Sequence, residues 1–258
     1  MIDISKAKFA FKDYLKGYDL NDDKINLKVK HTYEVTNVCK VISNDLKLDE
    51  EQINLAILIG LLHDIGRFEQ LRIYNSYDDA TTIDHADFGV KILFEDGLIR
   101  NFIEDNKYDN VIYVAIKNHN KYEIEDNLSE IELLHSKIIR DADKTDNFRV
   151  KETESFKALF DITEEELSKE ELTEKTYNDF LGKRLILRKD RKTHIDMWVS
   201  YIAFIFDYNF VSGLKYILEK DYINILVDRI KYENEDTKMR MEAIRKVAIE
   251  YIKDRINN

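Results

Sequence analysis

Leu55-Ala56-Ile57-Leu58-Ile59-Gly60-Leu61-Leu62-His63-Asp64-Ile65-Gly66-Arg67 is the stretch that decides how this chain folds. Asp49, with Gln52 three residues on, is placed to cap a helix running through Leu55, Leu58, Ile59 and Leu62, and Gly66 is expected to stop that helix just past its end. A helix apolar nearly all round must be central. Upstream, Val35, Val38, Ile42 and Leu46 keep the spacing of an amphipathic helix that begins near Leu27. Downstream, helical patterns run over about 84–94, 108–118 and 129–141 and through much of the remainder. No strand-like alternation is long enough to count. The chain has no proline and only 7 glycines, which disfavours folds built on many tight hairpins. The fold class is therefore all-α.

At 258 residues the chain can form one large domain or a domain with an extension. A boundary is expected near residue 150, leaving residues 151–258 as a helical extension. Its Trp198, Tyr201, Phe204, Phe206, Tyr208 and Phe210 need a surface to pack on, most simply the first part. Thr163 and Glu166 have capping-box spacing at the start of a surface helix. The formal net charge of −11 argues against general nucleic-acid binding or attachment to anionic membranes. The most apolar runs, 55–62 and 198–206, fall short of the ~20 residues that cross a bilayer. Cys39, the single cysteine, forms no internal disulfide, and residues 1–6 lack a signal-peptide layout, so a cytoplasmic protein is expected.

A His-Asp pair arises by chance in a chain this rich in aspartate, so its setting carries the meaning. His31 precedes Val35, Val38 and Ile42 by four, seven and eleven residues, which puts its ring on the buried stripe. His63 ends the most apolar helix. His85 precedes Gly89 and Ile92 by four and seven, His119 follows Ile112, Ala115 and Ile116, and Asp143 follows Ile139 by four. Any one such histidine is most simply a hydrogen-bonded core residue. Four inward imidazoles and two inward carboxylates on separate helices are more economically satisfied together, by one or two divalent cations. His135 also lies on an apolar stripe, with Ile131 and Ile138, and is assigned a structural role.

In that order, His31, His63-Asp64, His85, His119 and Asp143 resemble the HD-domain superfamily of metal-dependent phosphohydrolases. Leu61-Leu62-His63-Asp64-Ile65-Gly66-Arg67 is similar to its LLHDIGK/R element, His85-Ala86-Asp87-Phe88-Gly89 to its HAxxG element, and Ala142-Asp143-Lys144-Thr145-Asp146-Asn147 to its closing segment. The likeness covers about residues 20–150. It implies an HD-type helical bundle in which His31, His63, Asp64 and Asp143 hold one metal. His85 and His119 hold a second, and Asp64 bridges both. Asp141, two residues away, competes with Asp143 for the last position. The reaction implied is attack of a metal-held hydroxide on a phosphate ester or anhydride of a small, nucleotide-like substrate.

Arg67 and Lys144 follow proposed ligands and are expected to hold phosphate oxygens; for each the competing reading is a solvated surface cation. Asp84 and Asn118 adjoin ligand histidines and could orient them. The basic run Lys183, Arg184, Arg188, Lys189, Arg191 and Lys192 reads as a solvated face. Imidazole and carboxylate donors suit Fe, Mn, Co, Ni or Zn better than Mg. The residues after His119, Asn120-Lys121-Tyr122-Glu123-Ile124, depart from the wording of cyclic di-GMP phosphodiesterases, and no synthetase module follows. Two alternatives stay open: a di-iron oxygenase of the same superfamily, and a binding module whose metals only stabilise the helices.

Overall fold

A computed structural model describes residues 2–258, and every regular element among them is helical. The chain divides into two compact units, the first ending at Asp143 and the second beginning at Lys144. The first contains α1 (Ile4–Leu15), α2 (Asp23–Asp45), α3 (Glu50–Leu62), α4 (Ile65–Tyr74), α5 (His85–Val90) and α6 (Asp109–Asn118). A π-helical turn, Lys91–Glu95, follows α5. Helix α7 (Glu130–Thr153) begins in the first unit and runs into the second, twelve residues beyond the 129–141 pattern. The all-α expectation is met.

Capping aspartates fix where the helices of the first unit begin. Asp22 accepts from the backbone N–H groups of Lys24 and Ile25, Asp49 from Gln52 and Asp84 from Ala86 and Asp87, each supplying partners for donors the helix leaves open. Every residue of α3 from Leu55 to Leu62 is buried, as its all-round apolar character requires. Gly60 lets α2 come close: a Cβ there would lie 3.0 Å from Cys39 Sγ and 3.1 Å from Thr36 Cα.

Gly66 corrects the expectation that it ends a helix. Helix α3 stops at Leu62, Asp64 turns the chain with φ −103° and ψ 18°, and Gly66 is the second residue of α4. Its role is tertiary, because a Cβ would meet the His85 carbonyl oxygen and sit 2.7 Å from Gly89 N. Only glycine allows α4 and α5 to touch here, and that contact brings His85 up to Asp64. From behind, the Tyr14 hydroxyl of α1 donates to the Ile65 carbonyl (3.1 Å), fixing the start of α4.

The second unit contains α8 (Phe156–Phe160), α9 (Glu164–Lys169), α10 (Glu174–Leu181), α11 (His194–Ile202), α12 (Val211–Glu219), α13 (Tyr222–Asp228) and α14 (Glu235–Asn257). Its core gathers Phe148, Trp198, Leu214, Leu226, Ile244 and Ile252. Trp198 meets Phe156 edge-on at 5.5 Å, and its indole N–H donates to the Leu226 carbonyl, so the polar edge of this buried ring is satisfied. Thr163 and Glu166 form the expected capping box at α9. No helix among the described residues is long and apolar enough to cross a membrane.

Candidate metal centre

The sequence places its ligand candidates where helices begin, end or turn. His31 lies within α2, His63 caps the C-terminus of α3, Asp64 forms the turn into α4, His85 opens α5 and His119 caps the C-terminus of α6. The four histidines and Asp64 are no more than 4 % exposed, and Asp143 on α7 is partly exposed. Arg140, one turn before Asp143's neighbours, ties α7 to the end of α6: its guanidinium donates to the carbonyls of Asn118 (3.0 Å), Lys121 and Tyr122 (3.1 Å).

The two oxygens of Asp64 face different partners. Oδ2 lies 3.6 Å from Nε2 of both His31 and His63, and Oδ1 lies 3.4 Å from His85 Nε2 and 3.8 Å from His119 Nε2. On the first side Asp143 Oδ1 approaches to 3.1 Å from His31 Nε2 and 4.0 Å from His63 Nε2. Two triads result, His31 with His63 and Asp64, and Asp64 with His85 and His119.

Hydrogen bonds at the far side of three rings set which nitrogen carries the proton. His63 Nδ1 lies 2.8 Å from the Gly60 carbonyl oxygen, His119 Nδ1 2.6 Å from that of Ile116, and His85 Nδ1 2.6 Å from Asp79 Oδ2. All three partners can only accept, so each Nδ1 carries the hydrogen and each Nε2 presents a lone pair inward. His85 and His119 then aim two lone pairs at each other across 2.9 Å. That repels unless a cation joins them. Donors bound at ~2.0–2.2 Å to a shared ion stand roughly 3–3.6 Å apart, and the cluster's spacings fall near this range. The donor set fits a divalent metal.

Electrostatics agree with the ligand protonation states. Burial pushes the His85 and His119 imidazoles down to about 4, helped by Arg67 and His63 respectively, and burial also lowers His63, so these rings are neutral near pH 7. Burial opposes ionisation of Asp64, but Lys28, His63, His85 and Arg67 outweigh it and hold the carboxyl well below the usual range. Asp143 is likewise held low, by His31, His63 and His119 against burial.

The surroundings of the cluster contain residues that the sequence reading did not single out. Lys28 Nζ sits 2.8 Å from Asp64 Oδ2 and 5.5 Å from the Tyr77 ring. Its signal was available: Lys28 is three residues before His31 and shares its helix face. Asp79 holds His85 with one oxygen and accepts from Arg67 Nη1 (2.6 Å) and Gln70 Nε2 (3.0 Å) with the other. Nothing local in the sequence marks it.

The expected phosphate-binding cations are both engaged. Arg67 Nη1 shares its two hydrogens among Asp79 Oδ1, Gln70 Oε1 and the Tyr77 carbonyl, leaving Nε, 3.7 Å from Asp64 Oδ1, as the edge turned to the site. Within the second unit Lys144 pairs with Asp207 and donates to its carbonyl at 3.2 Å. Asp84 caps α5 and accepts from Asn120 Nδ2, which lies 3.4 Å from His85 Nδ1, and Asn118 bonds to Val114 and Glu125. His135 lies apart from the triads, with Nε2 2.8 Å from Gln52 Oε1. In the basic run, Arg184 pairs with Asp179 and Arg191 donates to the Ile186 carbonyl.

An all-α unit with imidazoles and carboxylates converging on a shared aspartate defines a class, helical folds with a donor set suited to a metal ion. Residues 29–147 match the family model of the HD domain, and this stretch of the chain is an HD domain. HD domains bind divalent metals and make up a superfamily of metal-dependent phosphohydrolases. No curated protein and no solved structure matches the chain.

Proposed function

We infer that this chain hydrolyses a phosphate ester or anhydride of a small, nucleotide-like substrate, with His31, His63, Asp64, His85, His119 and Asp143 as the metal ligands. The observation that carries this is the division of Asp64, whose two oxygens face separate imidazole pairs. A carboxylate so placed can serve two cations at once. Bound divalent ions supply Lewis acidity toward a phosphoryl oxygen and acidify water enough for attack near neutral pH.

The protein's own groups prepare that chemistry. The carbonyls of Gly60 and Ile116, with Asp79, hold three rings in the ligating tautomer. Lys28 keeps Asp64 ionised and, partly exposed beside it, is the cation best placed to receive a substrate phosphate oxygen. Arg67 supports from behind with Nε toward Asp64 and Nη1 fixed on the loop that carries Tyr77 and Asp79.

The test is a panel of nucleotides and phosphodiesters incubated with protein loaded with Mn, Fe, Co, Ni or Mg. Phosphate or nucleotide release that depends on the metal is expected. No release from protein verified to carry metal would remove the proposal, and metal-dependent oxygen uptake in its place would establish the oxygenase alternative.

A further inference from the structure

The three rings whose outer nitrogens are fixed are not fixed alike. His63 and His119 each rest on a backbone carbonyl three residues back in their own helix, so their orientation comes with the helix. His85 opens a short helix and rests on a side chain, Asp79, that belongs to the loop between α4 and α5. That carboxylate is itself clamped. Gln70, fully buried, has its Nε2 within hydrogen-bond distance of Asp79 Oδ1 (3.0 Å), Thr82 Oγ1 (2.9 Å) and the Ile83 carbonyl (2.9 Å), its two hydrogens shared among the three, while Arg67 Nη1 donates to the same Asp79 oxygen.

We propose that Asp79 is a positioning residue for one half of the centre only, setting the cation affinity of the Asp64, His85 and His119 triad while leaving the His31, His63 and Asp64 triad unaffected. The inference rests on the metal-centre reading above. A carboxylate accepting the Nδ1 hydrogen makes the opposite nitrogen a stronger donor than a carbonyl does, and it fixes the ring plane. Of the proposed ligands Asp79 touches His85 alone, and its other partner beside the centre, Arg67, comes no nearer to Asp64 than 3.7 Å through Nε, so its direct influence enters at a single ligand. Arg67 and Gln70 keep Asp79 from turning away, so the loop tunes the second ion's binding without touching it.

The experiment titrates cobalt(II) into metal-stripped full-length protein, following the absorption of the bound ion, heat of binding and cobalt content. Wild type is expected to take up two ions. Asp79→Asn, which keeps shape and removes charge, is expected to weaken one of the two by 10–100-fold and leave the other unchanged. In zinc-loaded wild type, the ring N–H of His85 is expected to be protected from solvent exchange, which decides the matter even where the variant does not fold. Two unchanged affinities in the variant, equal weakening of both, or a freely exchanging His85 N–H would each overturn the inference while leaving the metal centre standing. A wild-type protein that binds no cobalt would instead remove the metal-centre reading, and this inference with it.

Discussion

His31 and His63 stand on α2 and α3, helices of 23 and 13 residues brought into contact at Gly60, whereas His85 opens a helix of six residues braced by loop side chains. In the first half the ligands are placed by long packed elements whose apolar faces would form with or without a metal. In the second, His119 is set by its own helix, but the placement of His85 depends on one glycine contact, one carboxylate and a buried glutamine. Short helices are marginal by themselves and draw their stability from what they pack against. The second half should therefore be the more easily perturbed, and only Asp64 belongs to both.

Asp64→Asn is the substitution with the largest expected effect. It removes the one charge facing both imidazole pairs and leaves the half-buried ammonium of Lys28 without its carboxylate. Loss of turnover and of most bound metal from both triads is expected, measured by the hydrolysis panel and elemental analysis. Retention of one full equivalent of metal would show that the halves do not share this ligand.

Gly66→Ala comes next. The added methyl would press on backbone of α5, at the His85 carbonyl and Gly89 N, and backbone cannot swing aside as a flexible side chain can. Overpacking of this kind costs roughly 1–3 kcal/mol, and more where the contact is rigid. A destabilisation of about 3 kcal/mol in denaturant unfolding is expected, with the His85 and His119 ion lost before the other. Equal loss of both ions would break the contrast between the halves.

A buried histidine outside the centre supplies the control. His135 is 1 % exposed, its Nε2 engages Gln52, and its Nδ1 has no hydrogen-bond partner among the described residues. Burial pushes its pKa down from 6.5 to about 4. Above pH 6.5 the ring is neutral folded or unfolded and contributes nothing to the pH dependence. As pH falls from 6.5 toward 4 the unfolded chain binds the proton first, so stability drops, by about 2 kcal/mol at pH 5, and below 4 the loss levels off. His135→Gln removes that component. The variant should lose less stability than wild type between pH 7 and pH 5 in metal-free denaturant titrations, and parallel losses would assign the pH dependence elsewhere.

This asymmetry also explains what could be read from the sequence. Helices α2, α3 and α6 announce themselves by periodicity, and the rings of His31, His63, His85 and His119 could be placed inward because each keeps step with apolar neighbours. The Thr163 capping box and the Asp49 cap depend on neighbours three residues away and were equally legible. Gly66 reads locally as a stop because its reason lies in α5, nineteen residues on, and no local pattern encodes a contact. Asp79 escaped for the same cause: it sits in an aperiodic loop, and its partners come from α4 and α5. Arg67 and Lys144 adjoin ligand candidates in the sequence, but what their charges meet, Asp79 and Asp207, is again a matter of tertiary neighbours.

Gly60→Ala is the smallest effect and the one that most sharpens the comparison. Alanine favours the helix over glycine by about 1 kcal/mol. Against this, the new methyl would sit 3.0 Å from Cys39 Sγ and 3.1 Å from Thr36 Cα, closer than ordinary contact. The sulfur can rotate but the backbone carbon cannot, so the two contributions nearly offset and a net loss below about 1 kcal/mol is expected. Adding Cys39→Ala separates them. With the sulfur gone, Gly60→Ala should cost less than it does in the wild-type background, a coupling that a double-mutant cycle measures directly. If the cost is instead as large as at Gly66 and unchanged by Cys39→Ala, then the α2 and α3 backbones are as intolerant as those of α4 and α5, and the halves differ only in how their histidines are held.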